Sequence, residues 1–288
     1  MPHNVKILAD SRNIVTGDRI TTFELNFPRP LLAEINTHRM LSSNAGSSRA
    51  IPIKKVIEKI IKDPYIPQFT KNQKGMQGKL FDAEIQKDAE AIWLESMNVA
   101  IDQAQKLIDL NIHKQNVNRL LEPWMYVPVL VTGTEWRNFF NLRCAEATHP
   151  DFRSIAREMK VLYDDNEPNK LELGQWHIPF TDNVIKNHNL FKFTDALKVA
   201  TARAARISYT THDGVYDYDR DFQLHDILLE EKHYSPFEHC AKAVFINRCD
   251  TPEYAVLNDE TRVNTRNFRG WFSYRGHIEQ NIEVEDCR

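Results

Sequence analysis

The chain lacks a paired cysteine motif: its four cysteines, Cys144, Cys240, Cys249 and Cys287, stand apart, with no C-x-x-C spacing among them. That absence removes the zinc ribbon and the redox dithiol from consideration and leaves reduced thiols as the simplest reading. An excess of basic charge is also missing. With 37 Lys+Arg against 40 Asp+Glu and a net charge of -3, no global field draws the protein to nucleic acid or to an anionic membrane, so an anionic ligand must be held by a local cluster. No apolar run approaches the length of a membrane span. The opening MPHNVKILADSRN lacks the charged-then-apolar pattern of a signal peptide, and the expectation is a cytoplasmic protein with neither a membrane nor a nucleic acid as partner. His233, Glu238 and His239 lack a further ligand at standard spacing, so no metal site is expected.

What is present is enough chain for a substantial core: 288 residues, read as one domain spanning 1–288. RITTFELNFPRP (19–30) alternates polar and apolar residues and stops at prolines, as a strand does. LLAEINTHRML (31–41) reads as helical, and another helix follows Pro52. PYIPQFTKNQKGMQGK (64–79) is loop-like. Residues 82–110 keep helical apolar spacing throughout. A short helix ending near Pro123, a strand through YVPVLV, and helices over 134–143 and from Pro150 come next. Two further helices fall within 193–239, KAVFINR reads as a strand, and a last helix is expected from Pro252 through FRGWFSYR. The sum is an α+β chain with a long helical middle segment.

The densest chemistry lies in NTHRMLSSNAGSSRAIP (36–52). Small hydroxyl residues beside Gly46 offer backbone and side-chain donors, and Arg39 and Arg49 add planar, permanently charged forks, a composition suited to cradling phosphate. The alternative is a capped loop with solvated arginines. A second cluster, NRLLEP with EWRNFFNLR, carries Arg119, Asn138 and Arg143 on segments that an ordinary amphipathic helix would also explain. The third, AARIS with KHYSPFEH, holds Ser208, His233, Ser235, Glu238 and His239, and its Ser-Pro is first of all a helix cap.

Taken together, these blocks resemble the flavin-dependent thymidylate synthases. The family signature RHRxxSxNxxSxR is matched by Thr37-His38-Arg39, Ser42, Asn44, Ser47 and Arg49, every position but the first agreeing. Its Arg before Leu-Pro and its NFLNLR-like helix correspond to Arg119 and to 138–143. Its AARxS and H-x-[ST]-P-F-E-H blocks correspond to 204–208 and 233–239. The order differs: here the RHR-like block (19–52) comes first, the helical segment (82–160) next and the AARxS/SPFEH segment (195–288) last, as in a circular permutation or a duplication followed by loss. FRGWFSYR, with Arg269, Trp271, Phe272 and Arg275, echoes the family's RQWFRHR.

The resemblance implies a mixed or antiparallel sheet, and FAD-dependent transfer of a one-carbon unit from 5,10-methylenetetrahydrofolate to C5 of dUMP, giving dTMP, with NADPH as reductant. Carried over by position, Glu34, Ser47, Ser48, Arg49, Arg119 and Arg143 would bind dUMP. His38, Arg39, Asn138, Ser208, His233 and Ser235 would contact the flavin, and Arg143 and Arg39 would stabilise charge at the reacting base. A homo-oligomer, tetramer or dimer, is implied as well. Thr37 and Thr134 stand where the family has arginines, Thr132 where it has Asn, Ala45 where it has Glu, and Glu34 where it has Gln. Those losses leave open a hydroxymethylase giving 5-hydroxymethyl-dUMP, as in phage-like nucleotide metabolism (and then in the host cytoplasm), or a degenerate homologue that only binds flavin or nucleotide.

Overall fold

A computed structural model describes residues 4–74, 78–180, 193–208, 217–245, 254–258, 261–282 and 284. Its main sheet has the strand order β3-β4-β2-β1-β5, built from β1 (Val5–Asn13), β2 (Arg19–Pro28), β3 (Ser42–Ala45), β4 (Tyr126–Gly133) and β5 (Asn169–Leu171). All neighbours are antiparallel except β1 and β5, so the sheet is mixed. A smaller sheet joins β6 (Trp176–His177), β7 (Ala241–Ala243) and β10 (Trp271–Ser273), and β8 (Tyr254–Asn258) pairs with β9 (Thr261–Asn264). The helices are α1 (Leu32–Ile35), α2 (Ile53–Lys62), α3 (Ala83–Asp109), α4 (Lys114–Val117), α5 (Trp136–Arg143), α6 (Pro150–Asp165), α7 (Phe193–Ala205), α8 (Tyr218–Glu230) and α9 (Tyr274–Glu279). The fold class is α+β, and no helix among the described residues is long and apolar enough to cross a membrane.

Strand alternation decides which residues meet. Phe23, Leu25 and Phe27 of β2 and Val127, Val129 and Val131 of β4 point to one face, where they pack on Trp136, Phe139, Phe152, Ile155 and Met159 of α5 and α6. Edge-to-face ring pairs, Phe23 on Trp136 at 5.0 Å and Phe27 on Phe152 at 5.1 Å, close that layer. The even-numbered residues face the other way. Ile20 meets Ala241, Ala243 and Trp271 of the small sheet, and Leu130 meets Ala204 and Ile207. Both faces of the central strands are therefore covered, which explains why Thr21, Thr22 and Thr132 are fully buried in strands that read as half-exposed.

The helical middle is a second core, with Val56 and Ile60 of α2 and Met97 and Ala104 of α3 gathered around Val117, Leu121 and Trp124. Asp82 caps α3 by accepting from Ile85 N.

Several sequence expectations change. The segment 5–13, for which the sequence raises no expectation, is the strand β1, the partner of β2. The helix expected over 31–41 stops at Ile35, because the Glu34 carbonyl accepts from Thr37 Oγ1 at 2.7 Å and from Arg143 at 2.8 Å instead of continuing the helix. The final helix from Pro252 is instead β8, β9, β10 and the short α9. The β-branched and aromatic content of YAVLN and TRVN favours strands, and Gly270, at φ 71, interrupts any helical run. The expected strand KAVFINR is realised as β7 over its first residues, while residues 246–248 lie outside the described residues.

Candidate active site

The segment 34–49 runs from α1 through β3 into a loop, and a different set of partners holds each part of it. The first set centres on Arg143 in the last turn of α5. Its guanidinium donates to His38 Nε2 at 2.8 Å, to Glu34 Oε2 at 3.2 Å, to the Glu34 carbonyl at 2.8 Å and to Thr37 Oγ1 at 3.0 Å. It also lies over the Phe152 ring at 4.8 Å. With its side chain 17% exposed, Arg143 ties α5 to the T-H-R triplet. His38 packs edge-on against Phe139 at 4.9 Å. Because its Nε2 accepts from Arg143, the neutral ring carries its proton on Nδ1. Burial, and then the Arg143 charge, push the His38 pKa down to about 4, so the ring is neutral near pH 7.

The second set holds β3. Asn44 Oδ1 accepts from Ser235 Oγ at 2.6 Å and is 3.2 Å from His239 Nε2. Ser235 and His239 belong to the 3₁₀ turn Ser235–His239, whose Phe237 is fully buried against His225 and Tyr274. Residues 191 and 195 positions apart in the chain are thus adjacent in space, and the motif blocks assemble despite their altered order.

The third set pins the loop after Gly46. Ser48 Oγ donates to Glu122 Oε1 at 2.5 Å, and Asn118 Nδ2 donates to the carbonyls of Ser48 at 2.6 Å and Ile51 at 2.9 Å. Lys114 Nζ reaches the Ala50 carbonyl at 2.9 Å, and Arg29 pairs with Glu122 at 3.2 Å. Ser48, expected to hold dUMP, is buried and engaged in shaping this loop.

The remaining arginines behave differently. Arg39, Arg49 and Arg119 are exposed, and none has a carboxylate partner among the described residues. Arg119 lines a cavity of about 550 Å³ together with Arg29, Ala33, Asn36 and Glu122. Ser47 sits half-buried between the pinned positions, and Asn138 is exposed on α5. His233 is exposed and 3.6 Å from Glu231. Ser208 ends the 3₁₀ turn Arg206–Ser208, and its side chain lies outside the described residues.

The C-terminal segment closes over this region. Asn267 Nδ2 donates to the Arg39 carbonyl at 3.0 Å, and Arg269 donates its backbone N–H to Thr134 Oγ1 at 3.1 Å while its side chain pairs with Glu135 at 3.1 Å. Arg275 is committed to Glu238 and Glu279. Of the two arginines in the FRGWFSYR echo, Arg269 is the one placed at Thr134.

Sequence reading missed the buried residues behind the motif: Ser11, Thr22 and His177, together with the link from Thr132 to His239. Nothing in their local pattern marks them, since Ser11 and Thr22 are each one of several polar residues in their strands and His177 sits in a strand of two residues. Glu122 and Arg29, which anchor the loop, were also passed over.

A family profile described as thymidylate synthase complementing protein matches residues 19–169. That is more than half of the chain, and the protein belongs to this family. Among solved structures, a UMP/dUMP methylase, PolB from Streptomyces cacaoi, bound with 5-Br UMP is similar at 14% identity and a TM-score of 0.44, covering 56% of this chain and 88% of its own. The same methylase bound with 5-Br dUMP is similar at 14% identity and a TM-score of 0.43, covering 56% and 89%. No curated protein matches the chain.

Proposed function

We propose that the protein transfers a one-carbon unit from 5,10-methylenetetrahydrofolate to C5 of dUMP to give dTMP, with FAD as cofactor and NADPH as reductant. The observation that carries this reading is the division of labour among the arginines of the motif region. Arg29 and Arg143 spend their charge holding the segment in shape, whereas Arg39, Arg49 and Arg119 are exposed with no carboxylate partner among the described residues. Uncompensated guanidinium groups beside a pinned loop favour an anionic ligand, and with a net charge of -3 that attraction is local.

In this reading Ser47, Arg49 and Arg119 hold the phosphate and sugar of dUMP, and Ser48 supports them by fixing the loop on Glu122. Negative charge develops on the base as C5 reacts, and a fixed cation lowers that barrier. Arg39 is the cation available for it, while Arg143, with Glu34, acts by positioning the Thr37–His38 turn that carries Arg39. The donor set also fits an anionic dinucleotide. His38 offers Nδ1–H, Asn44 offers Nδ2 and the exposed Asn138 offers its amide, while Ser235, whose proton goes to Asn44, is exposed beside them. His38, Arg39, Asn138, Ser208, His233 and Ser235 would hold the FAD. When bound, FAD supplies one-carbon carriage and hydride chemistry. Assembly as a homo-oligomer is part of the proposal, supported by Ile85, Ile92 and Val99, which α3 exposes at 41%, 65% and 55% in steps of seven residues.

A second reading, hydroxymethylation, is favoured by the threonines at 37 and 134, which reduce the positive charge around the reacting groups. One assay separates the readings. The protein is incubated with dUMP, methylenetetrahydrofolate, FAD and NADPH, and the nucleotide product is weighed by mass spectrometry. A methyl gain is expected; a hydroxymethyl gain selects the second reading, and unchanged dUMP overturns both.

A further inference from the structure

Behind the motif runs a continuous buried chain of hydrogen bonds. Ser11 Oγ is 2.9 Å from His177 Nδ1, and His177 Nε2 is 2.8 Å from Thr22 Oγ1. Thr22 Oγ1 is 2.8 Å from Thr132 Oγ1, which is 2.8 Å from His239 Nδ1. His239 Nε2 then meets Asn44 Oδ1 at 3.2 Å. The cross-strand register places Thr22 opposite Thr132 on the face covered by the small sheet, and Ser11, Thr22, Thr132, His177 and His239 are all buried.

The chain has one polarity. A carboxamide oxygen only accepts, so His239 Nε2 must donate to Asn44 Oδ1. Full burial keeps His239 and His177 neutral, pushing their pKa values down to about 3 and about 4. His239 Nδ1 is then an acceptor and takes the Thr132 hydroxyl proton. Thr132 has no second proton, so its oxygen accepts from Thr22, Thr22 accepts from His177 Nε2–H, and His177 Nδ1 accepts from Ser11. At the far end, Asn44 Oδ1 receives a further donor, Ser235 Oγ at 2.6 Å. Both lone pairs of that oxygen are thereby occupied, and the half-buried Asn44 Nδ2 makes no protein hydrogen bond among the described residues.

We propose that Ser11, His177, Thr22, Thr132 and His239 form a positioning relay that locks the Asn44 amide oxygen-inward, so that Asn44 presents only donors and selects a hydrogen-bond acceptor, a carbonyl or phosphate oxygen, on the bound ligand. An unrestrained Asn presents either end of its amide. The lock removes that freedom and discriminates against a ligand that offers a donor there, because a buried donor facing a donor is left unpaired. Thr132 and His239 are positioning residues, acting through Asn44. The choice between dUMP and FAD as source of the acceptor rests on the functional reading above; the polarity of the relay does not.

The first measurement is the tautomeric state of the histidines in the wild-type protein, from nitrogen-15 spectra of histidine-labelled material with His177→Gln and His239→Gln used to assign the signals. The expected result is Nε2–H in both rings, unchanged between pH 8 and pH 5 on the order expected for neutral buried imidazole. Nδ1–H in both rings would mean that the amide is turned the other way, and it overturns the proposal. The second measurement compares Thr132→Val, nearly isosteric without the hydroxyl, with Thr132→Ser, which keeps it, in binding of dUMP alone and of FAD alone. Thr132→Val should weaken one of the two on the order of tenfold, with Thr132→Ser close to wild type. If Thr132→Val binds both as the wild type does, the relay does not position Asn44. A wild-type protein that binds neither compound removes the functional reading, and the tautomers then decide the relay alone.

Discussion

Arg143 and Arg119 occupy adjoining motif blocks yet should respond to substitution in opposite ways. Arg143 is largely enclosed and donates to four acceptors on the 34–38 turn. Arg143→Ala should lower stability by about 1.5–3 kcal/mol, the usual range for hydrogen bonds to charged groups, read as a lower urea midpoint. Arg143→Lys should recover little, since a single ammonium cannot span Glu34, Thr37 and His38 together. Arg119 is exposed in the cavity wall. Arg119→Ala should leave the midpoint unchanged within about 0.5 kcal/mol and raise the KM for dUMP on the order of tenfold. The histidines set a pH dependence. Unfolded imidazole protonates near its ordinary value of about 6.5, whereas burial brings native His38 and His177 to about 4 and His239 to about 3. Between those values the unfolded chain binds more protons. Stability is therefore fully present above about pH 6.5 and falls as the pH drops toward 4, with the exposed side of His38 contributing least. Urea melts across that range check the sign; a midpoint that rises on acidification would contradict it.

At the scale of elements, the C-terminal segment is joined to the β1–β2 turn by a close approach. Asn13 Nδ2 donates to the carbonyls of Val244 and Gly270 at 3.0 Å each. Gly270 has φ 71, and a Cβ there would stand 2.5 Å from Asp18 Oδ2 and 2.7 Å from Thr16 Oγ1. Gly270→Ala should cost about 1–3 kcal/mol through backbone strain and that clash, measured as a drop in the unfolding midpoint. Because the same segment carries Asn267 and Arg269 to Arg39 and Thr134, the variant should also weaken FAD binding, an effect absent if the segment plays no part in the site. Most helices and the two long central strands were legible beforehand, whereas β1, β3 and the short strands of the C-terminal half were not. The strand 19–28, the helix 83–109 and the proline-led helix from Pro150 each carry their own periodicity and punctuation. The short α1 was not, since its end depends on a carbonyl claimed by Arg143 from more than a hundred positions away.

For the whole molecule, the contrast between a net charge of -3 and a locally cationic site leads to a salt prediction. Arg39, Arg49 and Arg119 are exposed, so dUMP affinity should fall steadily as ionic strength rises past the point where the Debye length drops to about 10 Å, while the unfolding midpoint moves little. Titrations at several salt concentrations measure this; a salt-independent affinity would place the phosphate elsewhere. By itself the sequence determined the family and most of the helices, because side-chain type, spacing and helix or strand period are local properties. Only the tertiary structure decided which arginines are structural and which stay available, because ion pairing depends on partners brought in from elsewhere, such as Glu122 for Arg29. It alone joined Ser235 and His239 to Asn44 and exposed the relay through Thr22, Thr132 and His177. Those contacts span strands distant along the chain, and their registry is fixed by the packing of two sheets, which no local pattern records.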